Sequence, residues 1–584
     1  MKALIWNSPW IAQGDILFYK NCFIKHLVPQ ANLLNEIGYS VDVVTHDLIK
    51  GEASKLNSAI NRINLSFTDI IEMVGVLSDP SKDLYESTSS EISISIQNHL
   101  TDKLASEYDV IMLWETPVPF LEKMFPESLI IHQMPGAFCR APYPHLVTFD
   151  PVGLYKHGSL YKHFDQIVSD TNLHHTHVDE FKSLVKDSIA QLSPFSHQDL
   201  NPYQAFKELT LLPLQTSGHY AFLADTPYIS QADYLVDILS KTELETGLVV
   251  TQYVTPKVKD TVLNDEVLNA IKEKWPNLIF KEEFDTINSI SQYLLPLIDK
   301  VVSCSSSIAL QSMVWNKDII VPHETFIKRL SIDELNLSGY DKENVYSSVL
   351  DFIIRKQQPL AHKVLNDGKF LSALLEEMLS RKRSGKTGLD LYVDFDSIDS
   401  NYFAEMHEKF NVGRASRDIK NANEKISLLN ADAAKLERII KREGLEHVTF
   451  DVFDTLINRP VETPADAYKF METLALDISG GITEDFYKVR LIAEVETRKN
   501  SDNGEITLDE IYAAIKEHYQ LDSAIINKIM AAEIELEISL IQTREAGKRL
   551  WDAAIRTGRP ISIISDMYLP HSAVQAGNGA NLLI

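Results

Sequence analysis

Several short apolar runs of this 584-residue chain end in residues able to bind anions or move protons. Val301-Val302 leads into Ser303-Cys304-Ser305-Ser306-Ser307 and then a helical pattern from Ile308. Ser305, Ser306 and Ser307 thus bring hydroxyls, backbone N–H groups and the positive end of a helix dipole to one bend, which suits a phosphate and equally a neutral helix cap. Glu115 stands just past the run that ends at Trp114, and Asp225 follows the run Leu209 to Leu214. Two carboxylates facing a cleft can share a group transfer as nucleophile and acid/base; the plainer alternatives are a loop carboxylate and a turn-forming Asp before Thr226-Pro227. Arg140 can grip a carboxylate bidentately or be an ordinary surface cation. His323 and Glu324, after the run Asp318 to Pro322, can reach a ribose or base, or be unrelated residues at a strand end. Further on, Val448 to Phe450 leads into Asp451-Val452-Phe453-Asp454-Thr455-Leu456, and Ile561 to Ile564 into Ser565-Asp566. His174, His175 and His177 are too nearly adjacent to converge on a metal and read as a solvated loop.

The pattern that must position these groups is α/β. Lys2 to Trp6, a helical stretch Asn21 to Glu36, Gly38 as a stop and Val41 to Thr45 form a β-α-β opening, and Asp109 to Trp114 and Ser128 to His132 are further buried strands. A second α/β unit opens at Leu209 to Leu214 and continues through Gly247 to Tyr253, Leu278 to Phe280, Lys300 to Cys304 and Asp318 to Pro322. The expected plan is an N-terminal Rossmann-like domain over 1–200, a second over 201–395, a helical connector over 396–445, and a partial α/β domain over 446–584 whose segment 461–558 is a helical cap. Two successive Rossmann-like domains leave a cleft where ligands bind. Ser78 to Ser95, dense in Ser and acids, reads as a surface excursion. Ile419, Ala422, Ile426, Leu429, Ala433, Leu436 and Ile440 keep a heptad spacing, which fits either a short coiled-coil dimer or a linker helix lying on a neighbour.

Composition narrows the class. With 45% hydrophobic and 24% charged residues the chain is ordinary globular protein, and a net charge of −26 opposes binding to nucleic acid. Cys22, Cys139 and Cys304 are too scattered for a disulfide framework or zinc site and read as reduced thiols of a cytoplasmic protein. No stretch of 18 apolar residues occurs, which leaves peripheral attachment at the inner face of the plasma membrane open.

Two resemblances sharpen this. The segment from Asp299 to Pro322 and the strand Leu211-Leu212-Pro213-Leu214-Gln215 resemble the nucleotide-binding half of GT-B glycosyltransferases of the bacterial capsule and lipopolysaccharide type. Trp114-Glu115-Thr116-Pro117-Val118-Pro119-Phe120, Pro135-Gly136-Ala137-Phe138-Cys139-Arg140 and Phe149-Asp150-Pro151-Val152-Gly153-Leu154-Tyr155 are similar to the β-Kdo transferase group of that class. The resemblance covers residues 1–390. It implies retaining transfer of Kdo, or a similar acidic sugar, from a CMP-activated donor to a saccharide or lipid-linked saccharide acceptor. Asp225 would then be the nucleophile, Glu115 the acid/base, and Arg140 the partner of the sugar carboxylate. The donor would rest on Gln215, Ser305, Ser306, Ser307, His323 and Glu324, with Gln252 and Lys257 standing where related enzymes carry Lys-x-His-Pro. No metal is required, since CMP is already a good leaving group. The second resemblance, of Asp451, Asp454 and Ser565, is to motifs of haloacid dehalogenase-like phosphohydrolases, which use Mg²⁺. Phe453 stands where that family's phosphatases place a general acid, so this portion is expected to be inactive here. Competing with the transferase are a phosphohydrolase and a non-catalytic polysaccharide assembly factor.

Overall fold

The computed structural model describes residues 1–565 apart from 11–15, 47–48, 76–78, 87–90, 144, 171–172, 191, 254–261, 264, 288, 396–397, 399–400, 404–435, 438, 442–444, 454, 460–463 and 502–505. It divides into two compact units, Met1–Ala422 and Asn423–Ile584.

The first unit contains two sheets. In the first, strands β1 (Lys2–Trp6), β2 (Ser40–His46), β3 (Asn61–Leu65), β4 (Val110–Trp114), β5 (Leu129–Pro135) and β6 (Val147–Asp150) lie in the order 3-2-1-4-5-6. All pair in parallel except β6, which runs antiparallel to β5. Alternation along β1 shows why the sheet is covered on both faces: Ala3 and Ile5 pack in one apolar cluster, Leu4 and Trp6 in another. The second sheet, β7 (Glu208–Pro213), β8 (Thr246–Thr251), β9 (Leu278–Ile279), β10 (Lys300–Val302) and β11 (Asp318–Ile320), is parallel in the order 11-10-7-8-9. Each sheet therefore reverses its strand order beside its first strand, between β1 and β4 and between β7 and β10. In open α/β sheets that reversal point is where the strand ends diverge and leave a crevice.

The expected strands are present, and β3 and β6 are additions that their polar sequences, Asn61-Arg62-Ile63-Asn64-Leu65 and Val147-Thr148-Phe149-Asp150, did not announce. The boundary near residue 200 is not respected by packing. Val364, Leu371, Leu374, Leu375 and Met378, from the expected second domain, close the core of the first sheet beside Ala3 and Ile5. Conversely, Val178, Phe181, Val185 and Ile189 of the helix His175–Ala190 pack with the second sheet's Leu209 and Leu211. The expected surface excursion is also corrected: Ser81–Glu86 is a helix with Ser81, Leu84 and Tyr85 buried. The heptad segment lies almost wholly outside the described residues.

In the second unit β12 (Val448–Asp451) pairs in parallel with β15 (Ile561–Ile564), and β13 (Ile457–Asn458) pairs antiparallel with β14 (Gln542–Thr543). Between β13 and β14 stand the helices Ala467–Ile478, Phe486–Asn500, Leu508–Tyr519 and Ser523–Leu540 around one apolar core. The expected cap is shorter than 461–558, because the helix Glu545–Thr557 packs Trp551, Ala553 and Ala554 against Phe450 and Val452 of the α/β core. A capping box of Thr507 and Glu510 starts the helix Leu508–Tyr519.

Candidate functional site

The two reversal points of the first unit face one cavity of about 310 Å³. Asn7 and Ser8 enter it from the end of β1, Trp114, Glu115 and Thr116 from β4, Leu214, Gln215 and Thr216 from β7, and Ser306 and Ser307 from β10. Arg140 and Gln252 complete the polar lining that sequence singled out. Among the described residues, Glu115 is the one carboxylate on this wall and Arg140 the one permanent cation.

The hydroxyl-rich bend is open to the cavity and partly pre-paired. Ser306 caps the helix Ser307–Ser312, its Oγ accepting from the Ile308 N–H at 3.3 Å while its own N–H donates to Ser303 Oγ at 3.0 Å. Ser305 does not line the cavity; its Oγ donates to Gln215 Oε1 at 2.8 Å, which fixes that amide. The Gln215 backbone N–H in turn donates to Gln231 Oε1. On the same cavity the Arg140 guanidinium lies 5.3 Å from the centre of the Tyr253 ring and 3.5 Å from Ser289 Oγ. Gln252 reaches the wall, but its amide is taken up by Leu263 and by Asp285 Oδ2 at 2.7 Å, so it braces a loop. Lys257 lies outside the described residues.

Glu115 is held in an unusual way. Its φ of 40° puts a non-glycine residue in the left-handed region, and Tyr155, which meets it, has φ 53°. Each such residue costs about 1–3 kcal/mol unless its surroundings enforce it. Asp150 supplies the enforcement for Tyr155. Its buried carboxylate accepts from the N–H groups of Val152, Gly153 and Ser159, from Ser159 Oγ and from Gln357 Nε2. A Cβ at Gly153 would sit 2.5 Å from the His157 carbonyl oxygen, so only glycine permits this turn. The turn delivers Tyr155 Oη to Glu115 Oε1 at 2.9 Å and to His219 Nε2 at 3.1 Å. Burial first, and the Glu115 charge second, push the Tyr155 hydroxyl well above its ordinary pKa, so it stays protonated. His219, absent from the sequence-based candidates, lies 3.4 Å from Glu115 Oε1 and stacks on Tyr220. The only sequence signal for it was its position four residues after Gln215.

Asp225 does not fit the role of nucleophile assigned to it from sequence. It ends the helix Tyr220–Asp225, does not line the cavity, and is buried with its carboxylate between Tyr85 Oη at 3.0 Å and Lys156 Nζ at 3.3 Å. Burial raises its pKa, against the opposing pull of Lys156. A carboxylate paired on both oxygens and set back from the wall braces Lys156, next to Tyr155, and is not presented to the cavity. His323 and Glu324 are likewise off the wall, His323 Nε2 bonding to Tyr228 Oη at 2.8 Å and Glu324 Oε1 accepting from Tyr161 Oη at 2.5 Å. Elsewhere Asp69, Glu72 and His99 offer ligand atoms within 4.8 Å of one another, but Asp69 already accepts from Lys103 and from Ser66.

In the second unit the register sets Asp451 opposite Ile564, which brings Ser565 to the same strand edge. Asp451 is exposed and accepts from Thr455 Oγ1 at 3.1 Å. Phe453 packs against both cores of that unit. Asp454 lies outside the described residues.

Two Rossmann-like domains whose strand ends face a common cavity make the first unit a GT-B-type assembly. No family model and no curated protein matches the chain. Among solved structures it is similar to the β-Kdo 2,7 transferase of Thermosulfurimonas dismutans KpsC, with 10% identity over 64% of this chain and all of that one, TM-score 0.34. The KpsC β-Kdo 2,4 transferase of the same organism matches at 15% identity over 41% of this chain and 79% of that one, TM-score 0.28. The spinosyn rhamnosyltransferase SpnG matches at 12% identity over 67% and 97%, TM-score 0.25. With scores this low, the functional assignment rests on the cavity.

Proposed function

We propose that the first unit is a glycosyltransferase that moves an acidic sugar, Kdo or a close analogue, from a CMP-activated donor to a saccharide acceptor of a cell-surface polysaccharide. The observation that supports this is that Gln215, Ser306, Ser307, Arg140 and Glu115 line one cavity at the strand ends of the two sheets. A nucleotide phosphate is neutralised by hydroxyl and N–H donors, and a sugar carboxylate by a guanidinium, without a metal ion. Transfer is therefore proposed to proceed unchanged in EDTA. Glu115 on the wall of the same cavity suits activation of the acceptor.

The test is incubation of the full chain with CMP-Kdo and a panel of saccharide acceptors, following CMP release and product mass, together with thermal stability in CMP. Transfer, with a CMP-dependent rise in melting temperature, is the expected result. Absence of both transfer and stabilisation would refute the donor assignment. The competing phosphohydrolase reading would place its chemistry in the second unit, where Asp451 and Ser565 share a strand edge; phosphate release from a generic phosphomonoester with Mg²⁺ tests it on the same preparation, and silence is expected.

A further inference from the structure

We infer that Gln292 and Gln311 are positioning residues: they hold the loop that carries Arg140 at the spacing from the serine bend that the donor's two anionic groups require. This rests on the proposed sugar transfer and adds to it the side chains that set the fit of the donor.

The two ends of that fit belong to distant segments of the chain. Ser306 and Ser307 open the helix Ser307–Ser312, whereas Arg140 stands in the loop that follows β5. Two amides from helices packed on the second sheet join them. Gln311, in the helix that the serine bend opens, donates Nε2 to the Ala137 carbonyl oxygen at 2.7 Å. Gln292, in the helix Ile290–Leu294, donates Nε2 to the Ala141 carbonyl oxygen at 2.7 Å. The backbone is therefore pinned on both sides of Arg140. The cap residue of the second helix, Ser289, has φ 58° and places its Oγ 3.5 Å from Arg140 Nη1. At the root of the loop the Ala137 N–H donates to Gln358 Oε1 at 2.8 Å. A Cβ at Gly136 would lie 2.7 Å from the Leu146 carbonyl oxygen and 2.8 Å from Gln358 Oε1, so this close approach calls for glycine.

Folding alone does not account for the two amides. Gln292 and Gln311 are 0% and 3% exposed, and each leaves its Oε1 buried without a hydrogen-bond partner. A buried acceptor without a donor offsets roughly what one hydrogen bond contributes, so the pair adds little to stability. What it adds is the location of the loop. Both residues also line the cavity that holds Arg140, Ser306 and Ser307. In a CMP-activated Kdo the bridging phosphate oxygen and the carboxylate are bonded to the same carbon, so the two anionic groups cannot spread apart to meet a misplaced cation. Small errors in the placement of a binding group are expensive in such a rigid ligand. A loop tied to the helix that bears the phosphate wall keeps the guanidinium in register with it.

The experiment measures KM for CMP-Kdo and the inhibition constant of CMP on the full chain, on Gln311→Met, Gln292→Met and Arg140→Ala, and on each Gln variant combined with Arg140→Ala. Methionine keeps length and burial and removes the donor. CMP carries the phosphate and no carboxylate, so it reads the serine bend alone. Each Gln variant is expected to raise KM for CMP-Kdo about 10-fold, to leave the CMP constant within about two-fold, and to add nothing once Arg140 is gone. Parallel weakening of CMP would mean that the glutamines only support the fold and would overturn the inference. So would an unchanged KM, or losses that add to that of Arg140→Ala. Should one variant fail to fold by circular dichroism, the other decides, since the two pin opposite sides of Arg140; failure of both would make the amides structural and overturn the inference. Failure of the unaltered chain to transfer would instead overturn the donor assignment, and the inference with it.

Discussion

Replacing Asp150 by Asn tests whether the site is built by one buried carboxylate. Asp150 is 1% exposed and holds five donors: Oδ1 accepts from Val152 N at 2.8 Å, Gly153 N at 3.2 Å and Ser159 Oγ at 2.9 Å, and Oδ2 from Ser159 N at 3.0 Å and Gln357 Nε2 at 3.1 Å. An Asn side chain keeps the shape but turns one oxygen into an NH₂ group. In its better orientation the amide oxygen takes the three donors of Oδ1, and the NH₂ meets the two of Oδ2. Two buried donors without acceptors cost about 1–3 kcal/mol each, so the first unit should lose about 2–6 kcal/mol. That is a large share of the 5–15 kcal/mol typical of a folded protein. Urea denaturation followed by tryptophan fluorescence measures it, with Asp187→Asn on the exposed face of its helix as a control expected to stay within about 0.5 kcal/mol. Because the same carboxylate sets the turn that carries Tyr155 to Glu115, kcat should fall in the variant even where it is fully folded. A stability loss under about 1 kcal/mol with unchanged kcat would show that the turn stands without Asp150, and that the left-handed Tyr155 is not enforced from there.

Arg140→Ala should raise KM for the donor about 10–100-fold with a smaller change in kcat, measured by steady-state kinetics, because a charge-assisted contact is worth about 1.5–3 kcal/mol. Asp225→Asn should keep kcat within a few-fold of the unaltered chain, since the side chain is off the wall; abolished turnover in a folded variant would restore it to the mechanism. Burial raises the Asp285 carboxyl to about 6, with Oδ1 left unpartnered, against the lowering effect of Gln252. The folded state therefore binds more protons than the unfolded one between about pH 4 and 6, and stability should fall as pH rises through that window. Asp285→Asn should flatten this fall, stabilising the chain at pH 7 and not at pH 4, as read by urea midpoints. In the second unit Arg490, fully buried, holds buried Glu533 at 2.8 Å beneath Tyr468 and Tyr512. Arg490→Met leaves that charge uncompensated and should cost about 3–5 kcal/mol in that unit's unfolding by circular dichroism, with sugar transfer unaffected.

How much of this was legible in the sequence follows the range of each interaction. Strands such as Lys2–Trp6 and Val110–Trp114 are buried on both faces, so their apolar runs stand out locally, whereas β6 carries Thr148 and Asp150 inward and shows no such run. Ser306, Ser307, Gln215, Glu115 and Arg140 were legible because residues at the ends of parallel strands meet the crevice whatever the rest of the chain does. The exchange of helices between the two sheets was not, since Leu371 and Leu374 form an ordinary amphipathic pattern that fits either sheet equally well.

Asp225 and His219 show where local pattern fails most. Both follow β7, six residues apart, and at the level of residue type the carboxylate is the better candidate for sugar chemistry. What separates them is a pair of contacts from distant segments. Lys156 and Tyr85, the latter from a stretch whose Ser-rich sequence suggests surface, take both oxygens of Asp225. Tyr155, one residue before Lys156, orients His219 instead. The single turn set by Asp150 thus draws one acidic group back from the cavity and holds an imidazole and a carboxylate together on its wall, and the charge left facing a substrate is decided by that turn.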